Sequence, residues 1–189
     1  MKQNRENPFF ETYRTPFGTP PFDQIETEQY EPAFDEGIWQ LDEEVRAIAD
    51  NTELPTFENT IIALERSGKL LDKVISAFFN VLNAEADDEM MDISQRVSPK
   101  LSESSNNIYL NEQLFARVKS VYDRKDELHL PMEDARLLEK TFEAFCARGA
   151  ALGPEEKEKY RKLSSELSLL SLTFDQNALK DKNRYELLL

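Results

Sequence analysis

The strongest constraint on the fold is the density of prolines and aromatic residues near the start of the chain. Residues 7–25 read NPFFETYRTPFGTPPFDQI, with four prolines and five aromatic rings. A helix cannot run through prolines at this spacing, because each ring removes a backbone donor and clashes with the preceding turn. The residue before each proline also favours an extended backbone. Residues 1–26 are therefore predicted to form an extended arm that packs on the rest of the chain, with Phe17 and Phe22 as candidate buried rings.

Residues 27–189 carry the apolar periodicity of amphipathic helices. The chain has only 5 glycines against 37 acidic residues, which favours helices over a sandwich or a barrel. The predicted fold class is all-α, an antiparallel bundle-like region that follows the arm. The first helix is predicted over about 30–51, and its apolar positions recur at steps of three and four. These positions are Tyr30, Phe34, Ile38, Leu41, Val45 and Ile48.

Several boundaries can be predicted from residues with special backbone preferences. Thr56 is a good N-cap for a second helix, and Gly68 ends or bends that helix. Asp87 or Asp88 can cap a helix whose inward residues are methionines, Ile93 and Val97. Pro99 should kink this helix or end it near Ser98. Three more helices are predicted over about 112–128, from Pro131 onwards, and from Pro154 to about 180.

The last predicted helix carries a broad apolar stripe, which suggests burial on more than one side. Its members are Leu163, Leu167, Leu169, Leu170, Leu172, Phe174 and Ala178. The single cysteine, Cys146, lies beside Phe145 and near Phe142, and we expect it to be a small buried residue. With one cysteine, the sequence can form neither an internal disulfide nor a cysteine-rich zinc site.

Charge and targeting signals limit the partners and the location. The formal net charge is −14, which argues against nucleic acid and anionic membranes as partners. Between Asp23 and Asp50 there are ten acidic residues and one basic residue. This acidic segment can be a solvated helix face or a surface that recruits a basic partner. No signal peptide is recognised, so a cytoplasmic location is expected unless a leader has been removed.

The sequence contains no residue to which a catalytic, cofactor-binding or metal-binding role can be assigned. The only histidine is His129, between Leu128 and Leu130, and a packed loop residue or a cap is its expected role. The zinc-binding pattern His-Glu-x-x-His and glycine-rich phosphate loops are absent. Carboxylates are plentiful, so neighbouring pairs such as Glu43 and Glu44 are expected by chance. Residues 87–89 lack the spacing of a calcium loop and fit a helix cap better.

Read in order, six segments resemble the start of one family of peptidases. They are NPFF at 7–10, TPFGTPPFDQI at 15–25, EPAFDEGI at 31–38, PTFENTIIALERSGKLL at 55–71, LNEQLFARVKSVY at 110–122 and ELSLLSLTFDQNAL at 166–179. Together they are similar to the N-terminal region of zinc metallopeptidases of the peptidyl-dipeptidase and oligopeptidase A group, relatives of thimet oligopeptidase. The peptidyl-dipeptidase branch is the more similar, chiefly in the TPFGTPPF and PTFENTI segments.

The resemblance implies a helical region that forms one wall of a deep channel in a larger enzyme that hydrolyses short peptides. Family members hold one zinc ion with a His-Glu-x-x-His helix and a further glutamate, and the metal polarises the scissile carbonyl and activates water. None of these residues can be placed on this chain. The implied partners are short peptides and a C-terminal catalytic part, and the chain alone is predicted to be inactive.

The last residues, Tyr185–Leu189, form an apolar run, which predicts a truncated chain or an end that docks elsewhere. A second hypothesis from another class is a free-standing acidic helical module that binds proteins through its acidic first helix or its aromatic arm.

Overall fold

The computed structural model describes residues 7–85 and 87–183, and no β-strand occurs among them. Seven α-helices follow one another, α1 (Tyr30–Ala49), α2 (Ala63–Glu65), α3 (Lys69–Glu85), α4 (Asp88–Tyr109), α5 (Glu112–Tyr122), α6 (Met132–Ala147) and α7 (Pro154–Asn183). A π-helical segment, Phe57–Ile62, precedes α2, and 3-10 turns lie at Pro8–Phe10, Pro16–Gly18 and Thr27–Gln29. The predicted all-α fold class is confirmed.

The described residues divide into two compact units. The first is drawn from 1–39, 69–102 and 165–189, and it contains the arm, the first half of α1, α3 and the first part of α4. The second is drawn from 40–68 and 103–164, and it contains the π-helical segment, α5 and α6. None of the helices in the described part of the chain is long and apolar enough to cross a membrane.

Aromatic rings fill the core of the first unit. Phe34 and Phe78 are fully buried, and their centroids lie 5.3 Å apart with the rings edge to face. Tyr30 packs on the same Phe78 ring at 5.0 Å. Gly37 allows α1 to approach α3 closely, since a Cβ at this position would lie 3.0 Å from the Cα of Leu71. The helical register predicted for α1 is confirmed at its buried positions.

The core of the second unit is mostly aliphatic, with two buried phenylalanines and further aromatic rings at its edge. Its buried members are Val45, Ile48, Ala49, Phe57, Ile61, Leu114, Val118, Val121, Leu138, Phe145 and Ala150. Phe115, Tyr122 and Phe142 pack against this cluster while remaining partly exposed. The Tyr122 and Phe142 rings stack at 3.9 Å. The apolar faces predicted for α5 and α6 therefore supply much of one core.

The predicted caps and breaks are partly confirmed. Thr56 is the N-cap of the π-helical segment, and its Oγ1 accepts a hydrogen bond from the N–H of Asn59. Gly68 has a φ of +76°, so α2 and α3 are two separate helices rather than one bent helix. The prediction that Pro99 could end α4 near Ser98 is wrong, because the helix continues to Tyr109. Buried residues on both sides of the proline, Val97 and Ser104 among them, stabilise this helix beyond its local preference.

Two burial predictions are wrong. The apolar stripe of α7 is largely exposed, at Leu163, Leu167, Leu169, Leu170 and Phe174. Cys146 is exposed as well, because it follows the buried Phe145 on α6 and so points away from the core. The prediction about Tyr185–Leu189 falls on residues outside the described part of the chain.

Candidate functional site

The beginning of the arm is fixed to the first unit through Asn7 and Phe9. The Asn7 side chain donates through Nδ2 to the carbonyl of Gln29 at 2.8 Å, and its Oδ1 accepts from the N–H of Phe9 at 3.0 Å. The Phe9 ring is only 1% exposed and lies 5.3 Å from the ring of Tyr30. Asn7 and Phe9 therefore fix this end of the arm to the first unit.

Lys73 of α3 binds the backbone of the next residues of the arm. Its Nζ donates to the carbonyls of Phe9 at 2.8 Å and Glu11 at 2.6 Å. The same ammonium lies 3.7 Å from the centroid of the Tyr13 ring, which is cation–π distance. Burial lowers the pKa of Lys73, an effect that the charge of Glu11 opposes. Burial, with a smaller contribution from Tyr30, raises the pKa of Tyr13 to about 12.

The tip of the arm turns away from the helices. Phe17 has a φ of +60° and Gly18 a φ of +66°, and the turn closes on itself because Thr15 Oγ1 donates to the carbonyl of Thr19. The Phe17 side chain is fully exposed, and Phe22 is 51% exposed. The expectation that these two rings are buried is wrong. Because the hydrogen bonds of this turn are made within the turn itself, it does not require contact with a helix.

The arm lines a cavity of about 470 Å³ in the first unit. Its wall contains Pro8, Glu11, Thr12, Tyr13, Arg14, Thr15, Pro21 and Gln24. The wall mixes apolar rings with hydrogen-bonding groups, a composition that can accommodate a short extended segment of polypeptide. Its polar groups include the Glu11 carboxylate and the hydroxyls of Thr12 and Thr15.

A larger groove of about 730 Å³ lies between α1 and α4 in the same unit. It is lined by Glu28, Glu31, Pro32, Asp35, Glu36, Glu89, Ile93 and Arg96. Glu31 accepts from Arg96 at 3.0 Å, and Lys100 pairs with Asp35 at 2.6 Å. The hydrogen bond from Arg96 is the main reason why the pKa of Glu31 is lowered below its ordinary value. These ion pairs join the two helices and neutralise part of the acidic segment.

The other acidic residues singled out in the sequence act as helix caps and surface pairs. Asp87 Oδ1 accepts from the N–H of Met90 at 2.8 Å, so the predicted cap of α4 is confirmed. Glu44 accepts from the N–H of Gly68 at 2.7 Å, and Glu43 pairs with Arg46 on the surface. These carboxylates therefore stabilise helix ends and loops.

The described residues do not fit a zinc site. Across 7–85 and 87–183, no three His, Cys, Asp or Glu side chains come together in a group that could hold a metal ion. His129 is exposed in the loop before α6, at a φ of +48°. No step of a reaction can therefore be assigned to a metal on these residues.

Arg117 is a structurally important residue that sequence reasoning missed. It is only 7% exposed, and its guanidinium donates to the carbonyls of Asn51 and Glu53 and to the side chains of Asn59 and Thr60. It thereby ties α5 to the loop before the π-helical segment and to the segment itself. A signal was present, because Arg117 lies three residues after the buried Leu114 and so shares the apolar face of α5.

The described residues form an all-α chain whose aromatic arm is anchored at one end, with two cavities in the first unit. Comparison with known proteins gives the relationship. The chain is 43% identical to the dipeptidyl carboxypeptidase of Escherichia coli and 39% identical to that of Salmonella typhimurium, over 92% of its own length in both cases. It is 23% identical to the oligopeptidase A of Escherichia coli over 87% of its length.

The resemblance predicted from the motifs is confirmed, and the chain is related to the dipeptidyl carboxypeptidases and oligopeptidases A. It spans about a quarter of the length of these relatives, 25% of both dipeptidyl carboxypeptidases and 24% of the oligopeptidase A. Such coverage is consistent with the N-terminal region named by the motifs. No family model matches the chain.

Proposed function

We propose that this chain is the helical N-terminal part of a zinc metallopeptidase of the peptidyl-dipeptidase type, which hydrolyses short peptides. The observation that carries the proposal is the 43% identity to a dipeptidyl carboxypeptidase over 92% of the chain. Identity at this level over 173 residues extends through both the arm and the helices, and chance similarity of short helical segments does not produce it. In this proposal residues 1–26 are the arm and residues 27–189 are the helical region.

The role proposed for the chain is to form a wall of the substrate channel and so to limit the size of the peptides that enter. The zinc ion and the general base belong to the rest of the enzyme, because the sequence lacks His-Glu-x-x-His and has a single histidine. When bound, zinc would activate water and polarise the peptide carbonyl. The partners are short peptides and the catalytic part, without nucleic acid or membrane, and the location is the cytoplasm.

A free-standing acidic binding module is the alternative, and the fully exposed Phe17 at the tip of the arm is the observation that favours it. Exposed aromatic rings are enriched at protein interfaces. In that case the chain would bind a protein partner by itself, without any contribution to peptide hydrolysis.

A chimera distinguishes the two functions. The matched quarter of the Escherichia coli dipeptidyl carboxypeptidase is replaced by this chain, and release of dipeptides from a short peptide is followed before and after removal of metal with a chelator. We expect activity that is lost with the chelator and restored by zinc. The control is the Escherichia coli enzyme without its matched quarter. A chimera that is folded by circular dichroism but inactive would contradict the proposal.

A further inference from the structure

Helix α7 is oriented in the first unit with its polar side inward. Gln176 is only 8% exposed, and its Nε2 donates to the carbonyl of Met91 at 3.3 Å and to the hydroxyl of Ser94 at 3.1 Å, both on α4. Its Oε1 accepts from the side chain of Gln95 at 3.1 Å. A helix packed on its own unit normally turns its apolar face to that unit. Here a glutamine holds the buried contact.

Several large apolar side chains of α7 point the other way, whereas Leu172 and Leu179 are partly buried. Leu167, Leu170 and Phe174 are 64%, 60% and 73% exposed. Since each residue of an α-helix advances by about 100°, these three side chains share one face, and Gln176 lies on the opposite face. We call Leu167, Leu170 and Phe174 the α7 stripe. Within residues 163–174 the only charged side chain is Glu166, although 32% of the whole chain is charged.

Low charge together with clustered leucine and phenylalanine is the composition of an interface core rather than of a solvated helix face. Three large apolar side chains left in water would be a continuing cost to solubility. Polar packing on one side and apolar exposure on the other therefore indicate that α7 is a helix between two bodies, of which the described structure contains one.

We propose that the α7 stripe is the docking surface for the polypeptide that makes up the other three quarters of the dipeptidyl carboxypeptidases. This inference rests on the proposed function. We choose this occupant by comparing the length of the chain with that of its relatives. The chain covers only 25% of a dipeptidyl carboxypeptidase, and the remaining polypeptide of such an enzyme must contact the matched quarter somewhere. The partner surface is an apolar groove or helix face with few charges, which complements leucine and phenylalanine side chains.

A second copy of this chain is the less favoured occupant. Each copy carries a formal net charge of −14, so two copies repel each other at ordinary ionic strength.

The test uses the chimera described above and a triple variant, Leu167→Gln, Leu170→Gln and Phe174→Gln. Glutamine keeps the helix propensity and removes the apolar surface. The matched control, Leu54→Gln with Met132→Gln, changes two exposed apolar residues outside the α7 stripe. Melting temperature and dipeptide release are measured for each chimera, and melting temperature and mass in solution for each isolated chain.

We expect the triple variant to lower the melting temperature of the chimera by about 5–10 °C, with loss of activity on warming, and to leave that of the isolated chain within about 1 °C. The control should melt like the unsubstituted chimera. An active unsubstituted chimera whose triple variant is equally stable and active would overturn the docking inference alone. An inactive unsubstituted chimera would instead count against the proposed function. If the isolated unsubstituted chain is a dimer and the isolated triple variant is a monomer, the α7 stripe binds a second copy. That result would overturn the inference.

Discussion

At the scale of single residues, two phenylalanine side chains of the arm differ in burial. Phe9 is buried against Tyr30, whereas Phe17, eight residues later, is fully exposed. The density of aromatic residues predicts an arm that packs on the helices, and the Phe9 ring is the buried one of these two. Composition could not say which rings are buried, because that depends on the contacts of Asn7 and Lys73 with the arm backbone.

Phe9→Ala should lower the free energy of unfolding by about 3–5 kcal/mol, because it removes a buried ring and leaves a cavity. Phe17→Ala is the matched control with the same chemical change, and it should alter stability by less than about 0.5 kcal/mol. Urea denaturation followed by circular dichroism measures both. Equal losses for the two variants would mean that the arm is not anchored through Phe9.

Arg117→Met should destabilise the chain by about 2–4 kcal/mol. The substitution keeps much of the side-chain volume but removes the donor to two backbone carbonyls and to Thr60 Oγ1, and one of three donors to Asn59 Oδ1. The control is Arg46→Met, which removes an exposed arginine paired with Glu43 and should cost less than about 1 kcal/mol. If Arg117→Met also lowers the free energy of unfolding by less than about 1 kcal/mol, the hydrogen bonds of Arg117 do not stabilise the loop.

At the scale of elements, the buried face of a helix was predicted correctly where that face packs on another part of the described chain. The register of α1 and the inward residues of α4 were predictable, because each apolar stripe packs on another part of its own unit. The α7 stripe was recognised, but its burial was wrongly predicted, since periodicity reports that a face is apolar and not what covers it. The continuation of α4 through Pro99 was also missed, because packing outweighed a local preference.

The ion pair between α1 and α4 gives a pH-dependent prediction. The pKa of Glu31 is lowered below 4.5 in the folded chain, chiefly by the hydrogen bond from Arg96. A carboxyl group with a depressed pKa contributes stability above its unfolded pKa and loses it as the pH falls through the folded value. Stability should therefore decline below about pH 4.5, and less steeply in Glu31→Gln.

Carboxyl chemical shifts in an NMR titration measure this pKa directly. We expect a value below 4.5 for Glu31 in the unsubstituted chain and a shift towards 4.5 in Arg96→Gln. Glu139→Gln, which removes an exposed carboxylate outside this pair, is the control for the stability profile. A Glu31 pKa at or above 4.5 before any substitution would contradict the ion pair.

At the scale of the whole molecule, the chain matches about a quarter of the length of the dipeptidyl carboxypeptidases, and the described part of it is all-α. The order of six segments was enough to predict the peptidase relationship, because residues spread along the whole chain contribute to it. The candidate surfaces could not be predicted in this way. The cavity beside the arm and the outward side of α7 depend on long-range contacts that a single sequence does not encode in any local pattern.

Our central proposal is that this chain contributes structure, and not chemistry, to a peptidase. The most direct test is an assay of the isolated 189-residue chain with added zinc, using a short peptide and following both bound zinc and released products. We predict a folded chain that binds no stoichiometric zinc and releases no dipeptide above the rate without protein. Stoichiometric zinc binding together with peptide cleavage that a chelator abolishes would contradict the claim.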